Sequence, residues 1–262
     1  MAGDAKECYE ELADHYHLIF ENWEVSMARQ AETLGPILER ESGPAGTIRV
    51  LDCASGIGTQ ALGLARLGFT VTVSDLSPRA VARARAEALQ RGLDIHSFVA
   101  DIRDLTAVAE SDFDAVICMD NALPHLESPE ELVRALGQIR RKLRPNGLLM
   151  ASIRDYDRLL EEKPVVQGPS FYSDQGRRRI VIQVWDWLDD RRYVFHLYIT
   201  RETATGWHTV HAAALYRSLT RHELSTALKD ASFRNVRWLL PAESGFYQPI
   251  VLAKVDDVSA TV

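Results

Sequence analysis

The residues with the clearest chemical potential are acids set around a glycine turn. Val50-Leu-Asp-Cys-Ala-Ser-Gly-Ile-Gly-Thr-Gln60 runs from an apolar stretch through Asp52 into Ala54, Gly56 and Gly58. Phe69-Thr-Val-Thr-Val-Ser-Asp75 ends a second apolar stretch in another acid, with Leu76 beside it. Gly56 and Gly58 permit a tight turn and leave bare backbone for a ligand to lie against. Asp75 is placed to bind both hydroxyls of a ribose. A dinucleotide loop reads Gly-x-Gly-x-x-Gly and rests a pyrophosphate on a helix N-terminus. Here the acid precedes the loop and Gln60-Ala61 follows it. A carboxylate in that place repels a pyrophosphate and suits a cation or an amine.

These residues need a scaffold, and the hydrophobic pattern predicts one. Strand, glycine turn, helix and parallel strand form the first half of a nucleotide-binding sheet. Strands are expected at Ile48 to Asp52, Thr70 to Ser74, Ile95 to Ala100, Phe113 to Met119 and Leu148 to Ile153. Ser77 and Pro78 read as the N-cap and first residue of a helix whose face is Ala80, Val81, Ala84 and Ala88. Another helix, Pro129 to Leu143, leads to a turn at Arg144-Pro-Asn-Gly147. Ahead of the sheet, Tyr9 to Trp23 is rich in aromatics, and Tyr9, Leu12, Ala13 and Tyr16 have the spacing of one helix face. A second helix is expected from about Ser26 to Arg40 and a breaker cluster at Glu41 to Gly46. After Glu161 the pattern changes. Pro and Gly punctuate Lys163 to Gly176, then alternating runs at Arg179 to Trp187 and Tyr193 to Ile199 flank a turn, which reads as a hairpin. A third strand, Trp207 to Leu215, completes a small antiparallel sheet. Thr220 and Glu223 have capping-box spacing. A sixth core strand begins in Ala231 to Trp238, a last one covers Phe246 to Lys254, and the tail from Val255 is expected to be loose.

Composition removes several function classes. The 262 residues suffice for a large buried core, and an apolar fraction of 46% is ordinary for a globular protein. A net charge of −7 argues against a nucleic-acid surface, and the short basic groups Arg140 to Lys142 and Arg177 to Arg179 read as solvated faces. No apolar run approaches a membrane span, and the N-terminus has no apolar signal core, so a cytoplasmic protein is expected. Cys8, Cys53 and Cys118 have no metal or disulfide spacing, and Cys53 and Cys118, at or near strand ends, read as buried small residues. No His/Asp/Glu group has ligand spacing, so no metal is expected.

The Asp52-x-Ala54-x-Gly56-x-Gly58 segment resembles the first motif of class I S-adenosylmethionine-dependent methyltransferases, in which Ala can replace the first Gly. The cofactor's sulfonium and α-ammonium fit an acid at the loop. The resemblance implies an α/β fold: a Rossmann-like seven-stranded sheet with a small antiparallel β cap inserted after strand five. It divides the chain into an N-terminal helical lid (1–45), a cofactor-binding core (46–157 and 216–255) and a substrate cap (158–215). Within that frame Asp101 takes a hydrogen bond from the adenine amino group, or caps a helix, while Ile102 and Met119 lie against the ring. Tyr16 belongs to the lid. Arg29 resembles an arginine that binds the cofactor carboxylate in glycine N-methyltransferases, or is a surface residue.

Two further stretches are similar to the glycine and glycine/sarcosine N-methyltransferases. Asn121-Ala-Leu-Pro-His-Leu126 resembles their Asn-Ser-Phe-x-His-Leu, and Ile153-Arg-Asp-Tyr-Asp157 their His-Arg-Asn-Tyr-Asp. Carried across, Asn121 contacts the acceptor, His125 lies near the transferred methyl and Arg154 grips a carboxylate through its planar fork. The bland alternatives are a turn cap for Asn121, a satisfied polar group for His125 and an ion pair of Arg154 with Asp155 or Asp157. Ala122-Leu123 and Ile153 depart from the family pattern. His125 or His17 is a candidate general base. In the cap, Trp185, Trp187, Tyr193, His196 and Tyr198 are candidate lining residues. The expected reaction is methyl transfer from S-adenosyl-L-methionine to a small-molecule acceptor, the amine of an amino- or carboxylate-bearing substrate. The rival readings are O- or C-methylation of a natural-product intermediate, a non-catalytic cofactor-binding protein and an NAD-dependent oxidoreductase. A homo-oligomer with an exchanged N-terminal arm is compatible with the sequence.

Overall fold

Alternation along the central strands decides the layers. In β1 (Arg49–Asp52), β4 (Phe113–Cys118) and β5 (Leu143–Ser152), Leu51, Val116, Cys118, Leu149 and Ala151 fall on one face. Val50, Ala115, Ile117, Leu148 and Met150 fall on the other. Successive side chains of a strand point to opposite faces, so a sheet apolar on both must be covered on both. Leu132, Leu136 and Ile139 of α5 (Pro129–Lys142) and Leu224 and Leu228 of α7 (Arg221–Asp230) cover the first. Leu34, Ile37 and Leu38 of α2 (Trp23–Ser42) and Ala61 and Leu64 of α3 (Thr59–Arg66) cover the second. The structure, a computed structural model, describes residues 5–256. The expected loose tail lies outside them from residue 257 onward.

The core is a seven-stranded sheet in the order β10-β11-β5-β4-β1-β2-β3, completed by β2 (Thr70–Asp75), β3 (Ile95–Val99), β10 (Phe233–Leu239) and β11 (Ile250–Val255). The pairs from β3 through β5 are parallel, and β11 runs antiparallel to β5 and β10. Strand order reverses between β1 and β4, the point at which such sheets bind ligands beyond their carboxyl ends. Ser77 caps α4 (Pro78–Gln90) by accepting from the Ala80 amide at 3.0 Å, and the capping box of Thr220 and Glu223 opens α7. Gly63 lets α2 and α3 cross closely: a Cβ there would lie 2.7 Å from the Met27 carbonyl.

A second, four-stranded antiparallel sheet follows, in the order β6-β7-β8-β9: Val166–Asp174, Arg177–Trp187, Arg192–Thr203 and Gly206–Arg217. Several points differ from the sequence expectation: the helix expected through Tyr9 and Tyr16 ends at Leu12, with Tyr16 in a separate 3-10 turn, and the last strand starts at Ile250, not Phe246. The stretch punctuated by Gly168 and Pro169 is an edge strand, β6, whose pairing with β7 slips between Gln167 and Ser170. Proline is tolerated in a sheet at such an edge or bulge. The Arg144-Pro-Asn-Gly147 turn is absorbed into β5 as an irregularity in its pairing with β4, with Asn146 at φ +60°. A short helix, α6 (Tyr156–Glu162), links core and cap. At the N-terminus α1 (Ala5–Leu12) packs against both β9 and α4, so it bridges the two sheets. Among the described residues no helix is long and apolar enough to cross a membrane.

Candidate active site

Two adjoining cavities among the described residues lie at the carboxyl ends of the core strands, of about 600 and 520 Å³. The first is lined by the glycine loop from Cys53 to Ile57, by Asp75 and Leu76 after β2, by Asp101 and Ile102 after β3 and by Met119 and His125 after β4. The second lies under the cap and is lined by Arg154, Trp185, Phe195, Leu197 and Tyr216. Tyr9, Leu12, Tyr16 and Asp120 line both and form the wall between them.

The loop is built by hydrogen bonds from its own sequence. The Asp75 carboxylate accepts from the Gly56 amide at 2.8 Å and the Ser77 amide at 2.9 Å. This ties the end of β2 to the turn after β1. Gly56 takes φ +52°, and a Cβ there would point into open space, which fits a ligand lying against the backbone. Burial raises the Asp75 carboxyl above its ordinary value, against the pull of those amides. Asp52 is 1% exposed and lies beneath the loop, off the cavity lining, so a ligand would feel its charge through the loop and not by lying against it. Its Oδ1 accepts from the Ala54 amide at 3.4 Å, and its buried Oδ2 has no hydrogen-bond partner among the described residues. Burial pushes the Asp52 carboxyl up to about 7, with a further push from the Asp75 charge. A buried carboxylate oxygen without a donor suits a nearby ammonium, as the α-ammonium of S-adenosylmethionine would supply.

Asp101 lines the cavity with its carboxylate already held by Arg103, whose Nη2 donates at 2.6 Å and Nε at 3.0 and 3.1 Å. Burial opposes its ionisation, but those hydrogen bonds prevail and hold the group below its ordinary value. Ile102, Met119, Ala54 and Leu76 are placed on the lining. Gly58 is not: at φ +91° it caps α3, where a Cβ would meet Leu62 at 3.1 Å. Arg29 is exposed on α2 and lines neither cavity, the surface alternative named above.

The three residues expected near the acceptor separate. Arg154 reaches the cap cavity. Its guanidinium lies 4.6 Å from the Phe195 ring centroid, 4.7 Å from Trp185 and 5.4 Å from Tyr216, and Nη1 donates to the Tyr193 hydroxyl at 3.1 Å. Asp155 and Asp157 face Arg221 instead, and no ion pair of Arg154 is formed among the described residues. Asn121 does not line either cavity and is 2% exposed, so the expectation of substrate contact is corrected. Both ends of its amide are engaged: Nδ2 donates to the Tyr156 hydroxyl at 3.0 Å, and Oδ1 accepts from the Arg154 amide at 3.0 Å. Asn121 therefore positions Arg154. His125 lines the cofactor cavity, packs tilted against Tyr216 with ring centroids 4.0 Å apart and shares a 3.0 Å hydrogen bond with the Tyr9 hydroxyl. Burial drives its pKa down to about 3, so the imidazole is a weak base, not one tuned to neutral pH. His17 lines neither cavity and is pushed down to about 4, again by burial.

Period-two alternation sorts the cap aromatics. Trp185 and Phe195 are register partners and face the cavity with Leu197 and Ala212, also partners. Tyr193 is fully buried beneath Arg154, and His196, Tyr198 and His211 stack on one another away from the cavity. Three residues beyond those anticipated matter. Asp120, at φ +56°, accepts from the Tyr16 hydroxyl at 3.0 Å, the Tyr247 hydroxyl at 2.7 Å and Gln248 Nε2 at 3.3 Å. An acid at the end of β4 carries the same signal that marks Asp75 and Asp101. Tyr9 and Tyr216 join the wall through their 3.2 Å hydroxyl contact, and only the fold brings them together.

Residues 50–147 match the family of methyltransferase domains. The chain is 34% identical over 155 residues to a glycine/sarcosine N-methyltransferase of Parasynechococcus marenigrum, covering 56% of this chain and 55% of that protein. A second, from Aphanothece halophytica, is 30% identical and is covered over 64% of its length, against 66% of this chain. The chain thus spans between about half and two thirds of these curated relatives. A ubiquinone biosynthesis O-methyltransferase of Xanthomonas axonopodis is 39% identical over 109 residues, which is 42% of this chain and 44% of that protein. Among solved structures, DesVI of Streptomyces venezuelae superposes with a TM-score of 0.74 at 19% identity, covering 93% of this chain and 98% of that one. An amino pentose methyltransferase of Micromonospora echinaspora gives 0.69 at 21% identity, covering 87% of this chain and 91% of that one. Residues 50–147 therefore match a methyltransferase domain, on a chain that has the fold of the solved methyltransferases and is similar over part of its length to glycine/sarcosine N-methyltransferases.

Proposed function

We propose that the chain transfers the methyl group of S-adenosylmethionine to the amine of a carboxylate-bearing small molecule. The observation that carries this reading is Arg154: a guanidinium on the wall of the cap cavity, held by aromatic faces and a neutral hydroxyl, with no carboxylate paired to it among the described residues. A desolvated cation is costly unless an anion meets it, and a planar fork matches a carboxylate at two points. When bound, the cofactor supplies a sulfonium methyl that is already an activated electrophile. Gly56 and Asp75 would hold its ribose and amino-acid portion, and Asp101, Ile102 and Met119 its base. Tyr9, Leu12 and Tyr16 close the wall as a lid and exclude water. Positioning and water exclusion of this kind lower a barrier by about 7–11 kcal/mol.

The acceptor is larger than glycine on this reading. The cap cavity, about 520 Å³, has more room than glycine fills and sets an apolar wall of Val181, Trp185, Phe195 and Leu197 beside polar groups such as Arg154 and Asp120. That feature also favours the second reading, O- or C-methylation of a larger intermediate. Relatives named for amine and for ubiquinone-pathway hydroxyl methylation leave the acceptor atom open. Replacing Arg154 by Met tests the choice. We expect the acceptor's KM to rise at least tenfold, with the dissociation constant of S-adenosylhomocysteine unchanged. Unchanged acceptor kinetics would remove the carboxylate from the substrate. S-adenosylhomocysteine that fails to bind while NAD binds would overturn the methyltransferase reading itself.

A further inference from the structure

Arg154 has a counterpart of opposite sign. Asp120 lines both cavities, and its carboxylate is held by Tyr16, Tyr247 and Gln248, donors that are all uncharged. No ion pair of Asp120 is formed among the described residues, with Arg154 or with any other cation. One cavity wall therefore presents an anion lacking a cation and a cation lacking an anion. Both are half-buried charges that face a cavity, where a ligand of opposite charge would pair them. Burial disqualifies the neighbouring imidazole as a base near neutral pH.

We infer that Asp120 and Arg154 form a two-point site for a zwitterionic acceptor, with Asp120 holding the ammonium that is to be methylated. The orientation follows from the lining. Asp120 borders the cofactor cavity and Arg154 does not, so the amine faces the cofactor and the carboxylate points beneath the cap. The apolar body of the acceptor lies along Trp185, Phe195 and Leu197. An ammonium has no lone pair to donate. One N–H bond breaks as its proton passes to the Asp120 carboxylate, neutralising both groups. The freed pair then forms the N–C bond while the C–S bond breaks, its electrons staying on sulfur as the thioether. Asp120 afterwards releases the proton to water. The inference rests on the carboxylate-bearing amine proposed above and adds the group that recognises and deprotonates the amine.

The full chain is assayed with S-adenosylmethionine and leucine, phenylalanine, tryptophan and β-phenylalanine as acceptors. For the fastest of them, Asp120→Asn is expected to lower kcat/KM about a hundredfold, the scale of a lost general base, with a fall in kcat. Asparagine tolerates the left-handed backbone of this position; its Oδ1 can accept from one of the two tyrosine hydroxyls while its Nδ2 donates to the other. Binding of the corresponding deaminated acid, such as phenylpropionate, should be unchanged in the variant, because it carries no ammonium for Asp120 to hold. Wild-type protein should bind the amino acid at least tenfold tighter than its deaminated acid, a comparison that needs no folded variant. Equal binding of the two, or unaltered kcat/KM in Asp120→Asn, would overturn the assignment while leaving the proposed function standing. A raised KM with unchanged kcat would overturn the proton transfer. If wild-type protein methylates no amino acid of the panel, the underlying reading fails and this inference with it.

Discussion

Asp52 is the residue whose chemistry depends most on what binds beside it. In the free protein its carboxyl titrates near 7, because burial disfavours the anion. A ligand ammonium favours the anion, so binding below that pH must expel a proton. The affinity for S-adenosylhomocysteine should therefore fall toward tenfold per pH unit below about 7 and level off above it. Calorimetry in buffers of different ionisation enthalpy should register the released proton, and Asp52→Asn should flatten the profile. A flat profile in the wild-type protein would show that Asp52 does not meet the ammonium. The neighbouring Asp75, with two backbone amides on its oxygens, is fixed in place and serves geometry more than titration. Residue identities at this scale were legible where the chemistry is local: Asp52, Gly56 and Asp75 sit within one strand-turn-helix-strand unit. Asn121 was not, because the partners that engage both ends of its amide, Tyr156 and the Arg154 backbone, lie more than thirty residues away.

At the scale of elements, the N-terminal segment is held down by the cap. Arg179 of β7 is 2% exposed; it donates to the carbonyls of Leu18, Phe20 and Glu21 and forks onto Asp174 at 2.6 and 2.9 Å. As one of three consecutive arginines it read as a solvated charge, and a charge run alone cannot reveal that one member turns inward on a strand. Tyr16 lies just ahead of the clipped carbonyls and donates to Asp120, so this clip bears on the wall between the cavities. Arg179→Ala should leave those carbonyls unsatisfied at a cost of about 1–3 kcal/mol. It should also raise the cofactor's KM several-fold and expose the segment around Leu18 to limited proteolysis. Unchanged proteolysis and cofactor kinetics would make the clip irrelevant to closure. Alternation revealed β7, β8 and β9, whose buried residues are apolar apart from Arg179. Strand β6 stayed hidden because it is an edge: six of the nine residues from Val166 to Asp174 are exposed and none is buried, so no apolar alternation marks it.

The whole molecule places a nucleotide-binding sheet and a cap sheet on either side of one shared wall. That arrangement follows from the switch point between β1 and β4, which opens the first cavity, and from the insertion after β5, which roofs the second. The parallel core was legible, since strand-helix alternation predicts parallel units and the resemblance implied a seven-stranded sheet. The meeting of Tyr9, Asp120, Tyr216 and Tyr247 was not, because it joins four segments with no shared local pattern. The central claim is that this wall separates a methyl donor from a carboxylate-bearing amine. Mass-spectrometric detection of product formed from S-adenosylmethionine with a labelled methyl group, across paired amines with and without a carboxylate, tests it most directly. The account predicts a mass gain of one labelled methyl on the nitrogen of the carboxylate-bearing members, at rates at least tenfold above their decarboxylated partners. Label on oxygen or carbon, or equal rates for both members of each pair, would contradict it.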